Sequence, residues 1–404
     1  MQFAPQTRPK SVNSVASRYL LIFSLHGSES QALSKQKEIY QCHYFWCTVC
    51  GMSKRIAFCA DGTWDKASKQ TNVYKLYKAL LTTGDQIPLY DDGVGSDGNP
   101  LVMLLGGAFG TGLWEKIKEG YKKISHVYEQ GDDLFIFGFS RGAYTARSLA
   151  GMIAACGLPT QDFTDDMVNS AFDAYRDKAN RAARLQKLAP WKMFAADIKM
   201  VGVWDTVGSL GIPAAVGLND PILYGFLDTG LTPQIKNAFH AMAMDERREQ
   251  FMPTMWAGTP NPDQHVEQVW FTGAHSDVGG GEPDAAPGVQ ELSDVPLSWM
   301  IDKARGLGLQ IDEAIARQYA HPLDAKYALN KFHESWNAGW GIPVRRRIPK
   351  DAAIANSVLV RCQADPEWRP SNLDFVNGSV APGYKIVSVV SQPEAAAAQA
   401  QGGA

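Results

Sequence analysis

Four short apolar runs in this 404-residue chain each stop at a polar residue with a glycine close by. Stretches with an amphipathic pattern, such as residues 113–128 and 143–156, lie between them. Apolar runs without strict alternation are typical of strands buried on both faces of a parallel sheet. The sequence therefore predicts an α/β fold. The predicted strands are residues 56–60, 134–139, 198–204 and 269–272.

The residues that follow these runs carry reactive side chains. Asp61, Ser140 and Asp205 come directly after three of the runs, and His275 follows the fourth after a Gly-Ala pair. In parallel sheets, ligands bind beyond the carboxyl ends of the strands. The four side chains are therefore predicted to lie at one edge of the sheet.

Residues 138–142 read GFSRG and match the G-x-S-x-G nucleophile elbow. A predicted strand precedes the motif, and residues 143–149 are predicted to form a helix, which is the strand–turn–helix setting that the elbow requires. Such a turn presents the serine oxygen at a helix N-terminus, where backbone N–H groups favour developing negative charge. Ser140 is thus the candidate nucleophile.

A nucleophilic serine needs a base, and the base needs an orienting carboxylate. His275 is the favoured base because it follows a strand in a glycine-rich loop, whereas His240 lies on an apolar segment typical of the core. Asp205, at the end of a predicted strand, is the favoured acid. Asp245 is the alternative acid, since it also follows a plausible strand. Asp277, two residues from His275, is a weaker alternative that is expected to shape the histidine loop.

Two backbone N–H donors must stabilise an oxyanion. Arg141, the residue after the nucleophile, is predicted to supply one, and Gly62 or Thr63 after the first strand the other. Asp61 has two interpretations. The favoured one is a hydrogen-bonding brace for that turn, and the other is a ligand or a catalytic carboxylate.

Residues 58–63 (FCADGT) also imitate the D-x-D-G-T start of haloacid-dehalogenase-type phosphatases. The first aspartate of that motif is the phosphorylated nucleophile, and Cys59 stands in its place. The substitution removes the nucleophile and so disfavours this alternative.

A string of motifs resembles a bacterial and fungal α/β-hydrolase domain family, long known as a domain of unknown function, that includes the catalytic domain of type VI secretion phospholipase effectors. The resemblance covers roughly residues 54–373. It implies an α/β-hydrolase fold and an esterase or lipase with its triad on Ser140, Asp205 and His275. The motifs are KRIAFCADGTW (54–64), TNVYKLYKAL (71–80), GGAFGTGL (106–113), GDDLFIFGFSRGAYTARSLAGMI (131–153), VWDTVGSLGIP (203–213) and GAHSDVGGG (273–281).

Composition limits the partners. The 39 basic and 42 acidic residues give a net charge of -3, which offers no reason to expect nucleic-acid binding. No apolar run approaches the ~20 residues of a membrane-spanning helix, so peripheral contact is the only membrane association left open. A Ser-His-Asp triad needs no metal or organic cofactor. The six cysteines are too sparse for a disulfide scaffold.

The chain is predicted to contain one catalytic domain, residues 53–392, with helical and loop insertions near the site. Residues 1–52 are expected to be a poorly ordered extension or a misassigned start, and residues 393–404 a low-complexity tail. Residues 207–231 are interpreted as a lid or acyl-chain groove, or as ordinary packing. The basic cluster at 343–347 (PVRRR) is expected to be a solvated loop.

These observations predict a serine hydrolase that cleaves carboxylic esters, plausibly lipids, through an acyl-enzyme. The alternatives are a hydrolase-like binding module without activity and an amidase or peptidase. A cytoplasmic location is expected, with export as an effector, and hence a secretion or immunity partner, left open.

Overall fold

The computed structural model describes residues 53–62, 70–93, 108–160, 162–207, 230–281, 291–319 and 324–391, all within the unit Gly51–Ala404. The strands are β1 (Arg55–Ala60), β2 (Gln86–Asp91), β3 (Asp133–Phe139), β4 (Leu158–Pro159), β5 (Met193–Phe194), β6 (Ile198–Trp204), β7 (Asn237–Ala243), β8 (His265–Phe271), β9 (Ala353–Ala355), β10 (Phe375–Val376), β11 (Ser379–Val380) and β12 (Lys385–Val387). The α-helices are α1 (Asn72–Ala79), α2 (Ala108–Ser125), α3 (Arg141–Cys156), α4 (Asp165–Arg176), α5 (Arg181–Leu188), α6 (His275–Gly279), α7 (Asp294–Gly306), α8 (Glu313–Gln318) and α9 (Asn356–Ala364).

Eight of these strands form one sheet in the order β12-β9-β8-β7-β6-β3-β1-β2, and every pairing described in it is parallel. The chain passes from β1 outward to β2 and then returns to the other side of β1 to form β3. This reversal places a topological switch point between β1 and β3, where open α/β sheets bind ligands beyond their strand ends. The predicted α/β fold is confirmed.

Helices cover both faces of the sheet. On one face, Phe135 and Phe137 of β3 share an apolar cluster with Trp204 of β6 and Ile301 of α7. The alternate residues of each strand point to the opposite face. There α2 packs so tightly that a Cβ atom on Gly120 would lie 2.8 Å from the Phe58 ring. Packing on both faces therefore fixes the positions of the carboxyl ends of the strands relative to one another.

The four predicted strands correspond to β1, β3, β6 and β8, with bounds that differ most for β8, which begins at His265. Two further helices, α4 and α5, lie between α3 and β6. Residues 1–52 and 393–404, and residues 208–229 of the expected lid or groove, lie outside the described residues. Among the described residues, no helix combines the length and apolarity that crossing a bilayer requires.

Candidate active site

Ser140 lies at a sharp turn between β3 and α3. Its backbone has φ 56° and ψ −119°, in a region that favours glycine and that a non-glycine residue adopts only under strain. The flanking glycines have no room for a side chain. A Cβ on Gly138 would lie 2.3 Å from the Gly142 carbonyl oxygen, and one on Gly142 would lie 2.2 Å from the Ala60 carbonyl oxygen. The turn therefore requires both glycines of the motif.

His275 opens the short helix α6 directly after β8. Its Nε2 lies 2.8 Å from the Ser140 Oγ, and its ring packs against the rings of Phe139 and Phe251 at centroid distances of 4.6 and 4.9 Å. Burial lowers the pKa of His275 and outweighs the opposing effect of Asp205. The imidazole is thus favoured in its neutral form, as a proton acceptor must be. The predicted loop around this residue is a one-turn helix instead.

Asp205 directly follows β6 and is fully buried. Its Oδ2 lies 2.6 Å from the His275 Nδ1, and its Oδ1 accepts a 3.0 Å hydrogen bond from the Ala243 N–H. The Asp205 backbone has φ 39°, a second non-glycine residue in the left-handed region at this site. The structure therefore brings Ser140, His275 and Asp205 into one continuous hydrogen-bonded chain.

Arg346 also contacts Asp205, and sequence analysis did not predict this contact. Its two terminal nitrogens lie 2.6 and 2.8 Å from the two oxygens of Asp205, and Nη1 also donates to the Ala243 carbonyl at 2.7 Å. Burial would raise the pKa of the Asp205 carboxyl, but Arg346 and His275 hold that pKa well below its usual range. The carboxylate consequently stays ionised although it is fully buried.

The expectation that residues 343–347 form a solvated loop is wrong for Arg346. Arg345 and Arg347 are exposed, whereas Arg346 and Ile348 are buried. Alternation of this kind is typical of an extended segment with one face inward. The sequence VRRRI carries that signal, since Arg346 is in phase with Val344 and Ile348.

The alternative acid, Asp245, lies just beyond the neighbouring strand β7. Its hydrogen bonds stabilise the turn before His275. Its Oδ2 accepts a 2.8 Å hydrogen bond from the Gly273 N–H, and its own N–H donates to the Gly273 carbonyl at 3.0 Å. Burial raises its pKa to about 7. None of the hydrogen bonds described for Asp245 reaches His275.

Two other candidates have structural partners. Asp277 accepts hydrogen bonds from the Ala274 N–H at 2.9 Å and from the His333 side chain at 2.5 Å, so it shapes the histidine turn as expected. His240 is fully buried in β7, where its Nε2 accepts from the Thr206 N–H at 3.0 Å. Burial lowers the pKa of His240 to about 3, which keeps it a neutral core residue.

Glu246 is a further residue that sequence analysis missed. Its carboxylate is buried, accepts from the His275 N–H at 3.2 Å, and is held by the Arg248 guanidinium at 2.9 and 2.8 Å. The Arg248 guanidinium in turn lies over the Phe251 ring at 3.6 Å. This cluster fixes the backbone of the candidate base and the ring beside it.

Asp61 braces the turn after β1. Its carboxylate accepts from the hydroxyls of Thr71 and Tyr90, each at 2.7 Å, and from the Gly62 N–H at 2.9 Å, and burial raises its pKa to about 6. These hydrogen bonds are those that the favoured interpretation, a brace for the turn, requires. The Gly62 N–H is occupied by Asp61, and Thr63, the other predicted oxyanion donor, lies outside the described residues.

Arg141, the remaining predicted oxyanion donor, is the first residue of α3, so its N–H lies directly beside Ser140 at the start of the helix. Cys59, in the place of a phosphatase nucleophile, is fully buried in β1, and burial raises the pKa of its thiol. Within the described part of the chain, no group of three His, Cys, Asp or Glu side chains is arranged to hold a metal ion. The chemistry that this arrangement supports is nucleophilic attack by an activated serine.

Comparison with known proteins shows the family to which this chain belongs. A family model described as "T6SS, Phospholipase effector Tle1-like, catalytic domain" matches residues 54–303, more than half of the chain. Uncharacterized protein YEL023C of Saccharomyces cerevisiae is 33% identical over an alignment of 238 residues, and the match covers 52% of this chain and 33% of that protein. The chain thus matches about a third of the length of this yeast relative.

Two solved structures are similar over about half of their own length. One is described as an uncharacterized protein from Pseudomonas aeruginosa, with a TM-score of 0.40, 17% identity, and coverage of 72% of this chain and 52% of that one. The other is the Tle1 effector bound to the VgrG spike from the type 6 secretion system, with a TM-score of 0.34, 19% identity, and coverage of 60% and 53%.

Proposed function

This chain belongs to the family of type VI secretion Tle1-like phospholipase effector catalytic domains, and we propose that it is a serine hydrolase that cleaves carboxylic ester bonds in phospholipids. The family supports a phospholipase-type hydrolase. The proposal adds the residues: Ser140 as nucleophile, His275 as base and Asp205 as the orienting acid.

The observation that carries the proposal is the continuous hydrogen-bonded chain from Ser140 to Asp205. The two links, Oγ to Nε2 at 2.8 Å and Nδ1 to Oδ2 at 2.6 Å, are within the distances that proton transfer requires. The strained turn at Ser140 supports the same role, because it separates the hydroxyl from the regular backbone of β3 and α3.

In the proposed reaction, the Ser140 oxygen attacks the ester carbonyl carbon while its proton passes to the His275 Nε2. The tetrahedral intermediate then expels the alcohol, which takes that proton, and Ser140 retains the acyl group. A water molecule then attacks the acyl-enzyme while one of its protons passes to His275. The bond between the acyl group and the Ser140 oxygen breaks, that oxygen takes the proton back from His275, and a fatty acid is released. Each atom transferred is supplied by substrate, water or these side chains.

Asp205 and the backbone donors stabilise the charges that develop. Asp205 holds the His275 Nδ1–H and stabilises the imidazolium, and Arg346 keeps the carboxylate ionised. The Arg141 N–H is proposed as one oxyanion donor. Thr63 is proposed as the second, since the Gly62 N–H is donated to Asp61 in this structure.

The test is labelling and turnover by purified protein and its Ser140→Ala variant. The proposal expects the parent to react with a fluorophosphonate probe, to hydrolyse a p-nitrophenyl ester, and to release fatty acid from a phospholipid panel followed by mass spectrometry. The variant should keep its circular dichroism spectrum and lose all three. Labelling that persists in Ser140→Ala would refute the nucleophile.

Parallel substrates separate this proposal from its alternatives. An ester and an amide of the same acyl group distinguish an esterase from an amidase or peptidase, which would cleave both. A binding module would give no turnover above the Ser140→Ala control on either. Because the matching family model is described as a type VI secretion effector catalytic domain, the proposal includes export, which fractionation of producing cells would check.

A further inference from the structure

Residues 336–347, here called the rim segment, lie beside the candidate active site. The Trp340 ring is 5.7 Å from the Phe251 ring, and the Phe251 ring is 4.9 Å from the His275 ring. The segment is tied to the body of the protein by the Val344 N–H, which donates to the Arg247 carbonyl at 2.8 Å. Two aromatic contacts therefore separate the rim segment from the candidate base.

Apolar side chains project from this segment. Ile342 is 84% exposed, the highest value among the exposed large hydrophobic side chains that the structure describes, and it is flanked by exposed Gly341 and Pro343. Trp336, just before a short 3₁₀ turn, and Trp340, the last residue of that turn, are half-buried. A single exposed isoleucine needs no explanation. An isoleucine at a tip with two tryptophans behind it is typical of proteins that enter a lipid interface.

The positive charges of the segment are available to a ligand. Arg345 and Arg347 are exposed, and neither forms an ion pair within the described part of the chain. Arg346, which lies between them in the sequence, points inward and binds Asp205. The exposed guanidinium groups of Arg345 and Arg347 therefore belong to a part of the chain that is fixed to the candidate active site. Basic side chains next to exposed apolar ones complement an anionic lipid surface.

We propose that the rim segment docks the protein on an anionic phospholipid surface, with Ile342 entering the headgroup region and Arg345 and Arg347 contacting lipid phosphates. This inference rests on the proposed function, because docking at this place would bring lipid esters to Ser140. It adds a lipid-binding surface, which hydrolysis of a water-soluble ester does not require. Activity on soluble and on membrane substrates should therefore respond differently to changes in the rim segment.

The experiment compares two double variants that make the same chemical change. Ile342→Asp/Arg345→Gln alters the rim segment. Leu81→Asp/Lys78→Gln is the control and alters an exposed leucine and an exposed lysine. Both residues lie at or just after the C-terminal end of α1, near the start of β2 and away from the strand ends that carry the site. Both variants change the net charge equally, so nonspecific electrostatics is matched.

Binding is measured by flotation with vesicles of phosphatidylglycerol and phosphatidylcholine, and with phosphatidylcholine alone, in a Ser140→Ala background that cannot consume the lipid. We expect the rim variant to bind anionic vesicles roughly tenfold more weakly or worse, and the control variant to bind like its parent. The parent should prefer anionic vesicles and lose affinity at high salt.

Turnover is measured with Ser140 present. The rim variant should hydrolyse a soluble p-nitrophenyl ester within about twofold of the parent, and its vesicle hydrolysis should fall with its binding. Unchanged vesicle binding by the rim variant, equal loss in the control variant, or equal parental binding to neutral vesicles would overturn the inference. Absence of soluble-ester turnover in the parent would instead overturn the proposed function, while flotation would still test the docking surface.

Discussion

Asp205 and Asp245 lie just beyond the carboxyl ends of the neighbouring strands β6 and β7 and differ in the groups that surround their carboxylates. Asp205 contacts two basic side chains, Arg346 and His275, and its pKa lies well below the usual range. Asp245 accepts from the Gly273 backbone, and burial raises its pKa to about 7. A carboxylate that stabilises an imidazolium must remain ionised. The surroundings therefore distinguish the two aspartates more sharply than their positions do.

Asparagine substitutions should separate these two residues. Asp205→Asn is expected to lower kcat/KM on a soluble ester by roughly 10³–10⁴-fold, because an amide cannot stabilise the protonated base. Asp245→Asn keeps an acceptor for the Gly273 N–H and should retain activity within a few-fold. It should also stabilise the protein more at pH 8 than at pH 5, since above about 7 the buried carboxyl of the parent carries charge. Equal losses of activity in the two variants would contradict the assignment.

The pH dependence of the reaction is expected to reflect His275. Burial holds its pKa below the ordinary 6.5, and the reaction needs the neutral ring. kcat/KM should therefore stay level as pH falls through 6.5 and decline only at lower pH. An acid limb centred at or above 6.5 would contradict this expectation.

Arg346 should influence that acid limb. Without its charge, Asp205 attracts a proton on His275 more strongly, so Arg346→Met should move the limb to higher pH, and Arg346→Lys should move it less. Breaking a buried ion pair also costs about 3–5 kcal/mol of stability, so thermal unfolding must show that each variant is folded at the assay temperature. A limb that stays in place in both folded variants would show that Arg346 has no influence on the base.

Sequence analysis named three residues that the structure brings together in the candidate site but missed Arg346, for a physical reason. Ser140 lies within a local motif, and Asp205 and His275 follow strands that their apolar runs predict. Arg346 meets Asp205 across 141 positions of sequence, and a run of three arginines is by itself typical of a solvated loop. Val344 and Ile348, in phase with Arg346, are a weak local signal for an inward face, but the partner that Arg346 meets there depends on tertiary packing.

At the level of secondary structure, the elbow depends on the close approach of α3 to β1 and β3. Gly142 is inside α3, where alanine would normally be favoured over glycine by about 1 kcal/mol. A Cβ there would instead lie 2.2 Å from the Ala60 carbonyl oxygen and 2.5 Å from that of Asp61. Helix propensity therefore predicts that alanine at this position stabilises the protein, whereas packing predicts that it destabilises the protein.

Gly142→Ala should destabilise the protein by about 1–3 kcal/mol or more and abolish probe labelling, because β1 or α3 must shift. Gly306→Ala, at the end of α7, is the matched control, since a Cβ there meets nothing within 4 Å. It should be neutral or slightly stabilising and leave labelling intact. Chemical denaturation with the probe assay measures both effects. A stabilised, fully labelled Gly142→Ala would show that the close contact is not required.

The elements differ in how well their sequences predict them. The bounds of β6 agree with the predicted strand because every residue of Ile198–Trp204 except Lys199 is apolar or glycine. β9, at Ala353–Ala355, is too short for a periodic signal and exists because it pairs with Val269 and Trp270 of β8. The expected loop at His275 forms a helix because Asp277 accepts from the Ala274 N–H and caps the turn. Long-range strand pairing therefore determines β9, and capping determines the helix at His275.

In the molecule as a whole, the family match and the folded body end at different places. The match stops at residue 303, yet β9, α9, β12 and Arg346 follow it. These elements extend the sheet beyond β8, and Ile348, Ile354 and Val358 share an apolar cluster with Trp270 of that strand. The candidate site is thus formed from both sides of the family boundary.

Truncation tests this dependence. A chain of residues 53–391 contains every described strand, and we expect it to unfold cooperatively and to label with the fluorophosphonate probe like the full chain. A chain of residues 53–303 would leave the edge of β8 unpaired, the Trp270 cluster incomplete and the Asp205 carboxylate without Arg346. Because an uncompensated buried charge and an exposed apolar edge each destabilise a sheet, this shorter chain should aggregate or unfold without cooperativity and should not label. Labelling of residues 53–303 at the rate of the full chain would mean that the family core alone holds the triad, and that Arg346 is dispensable for its geometry.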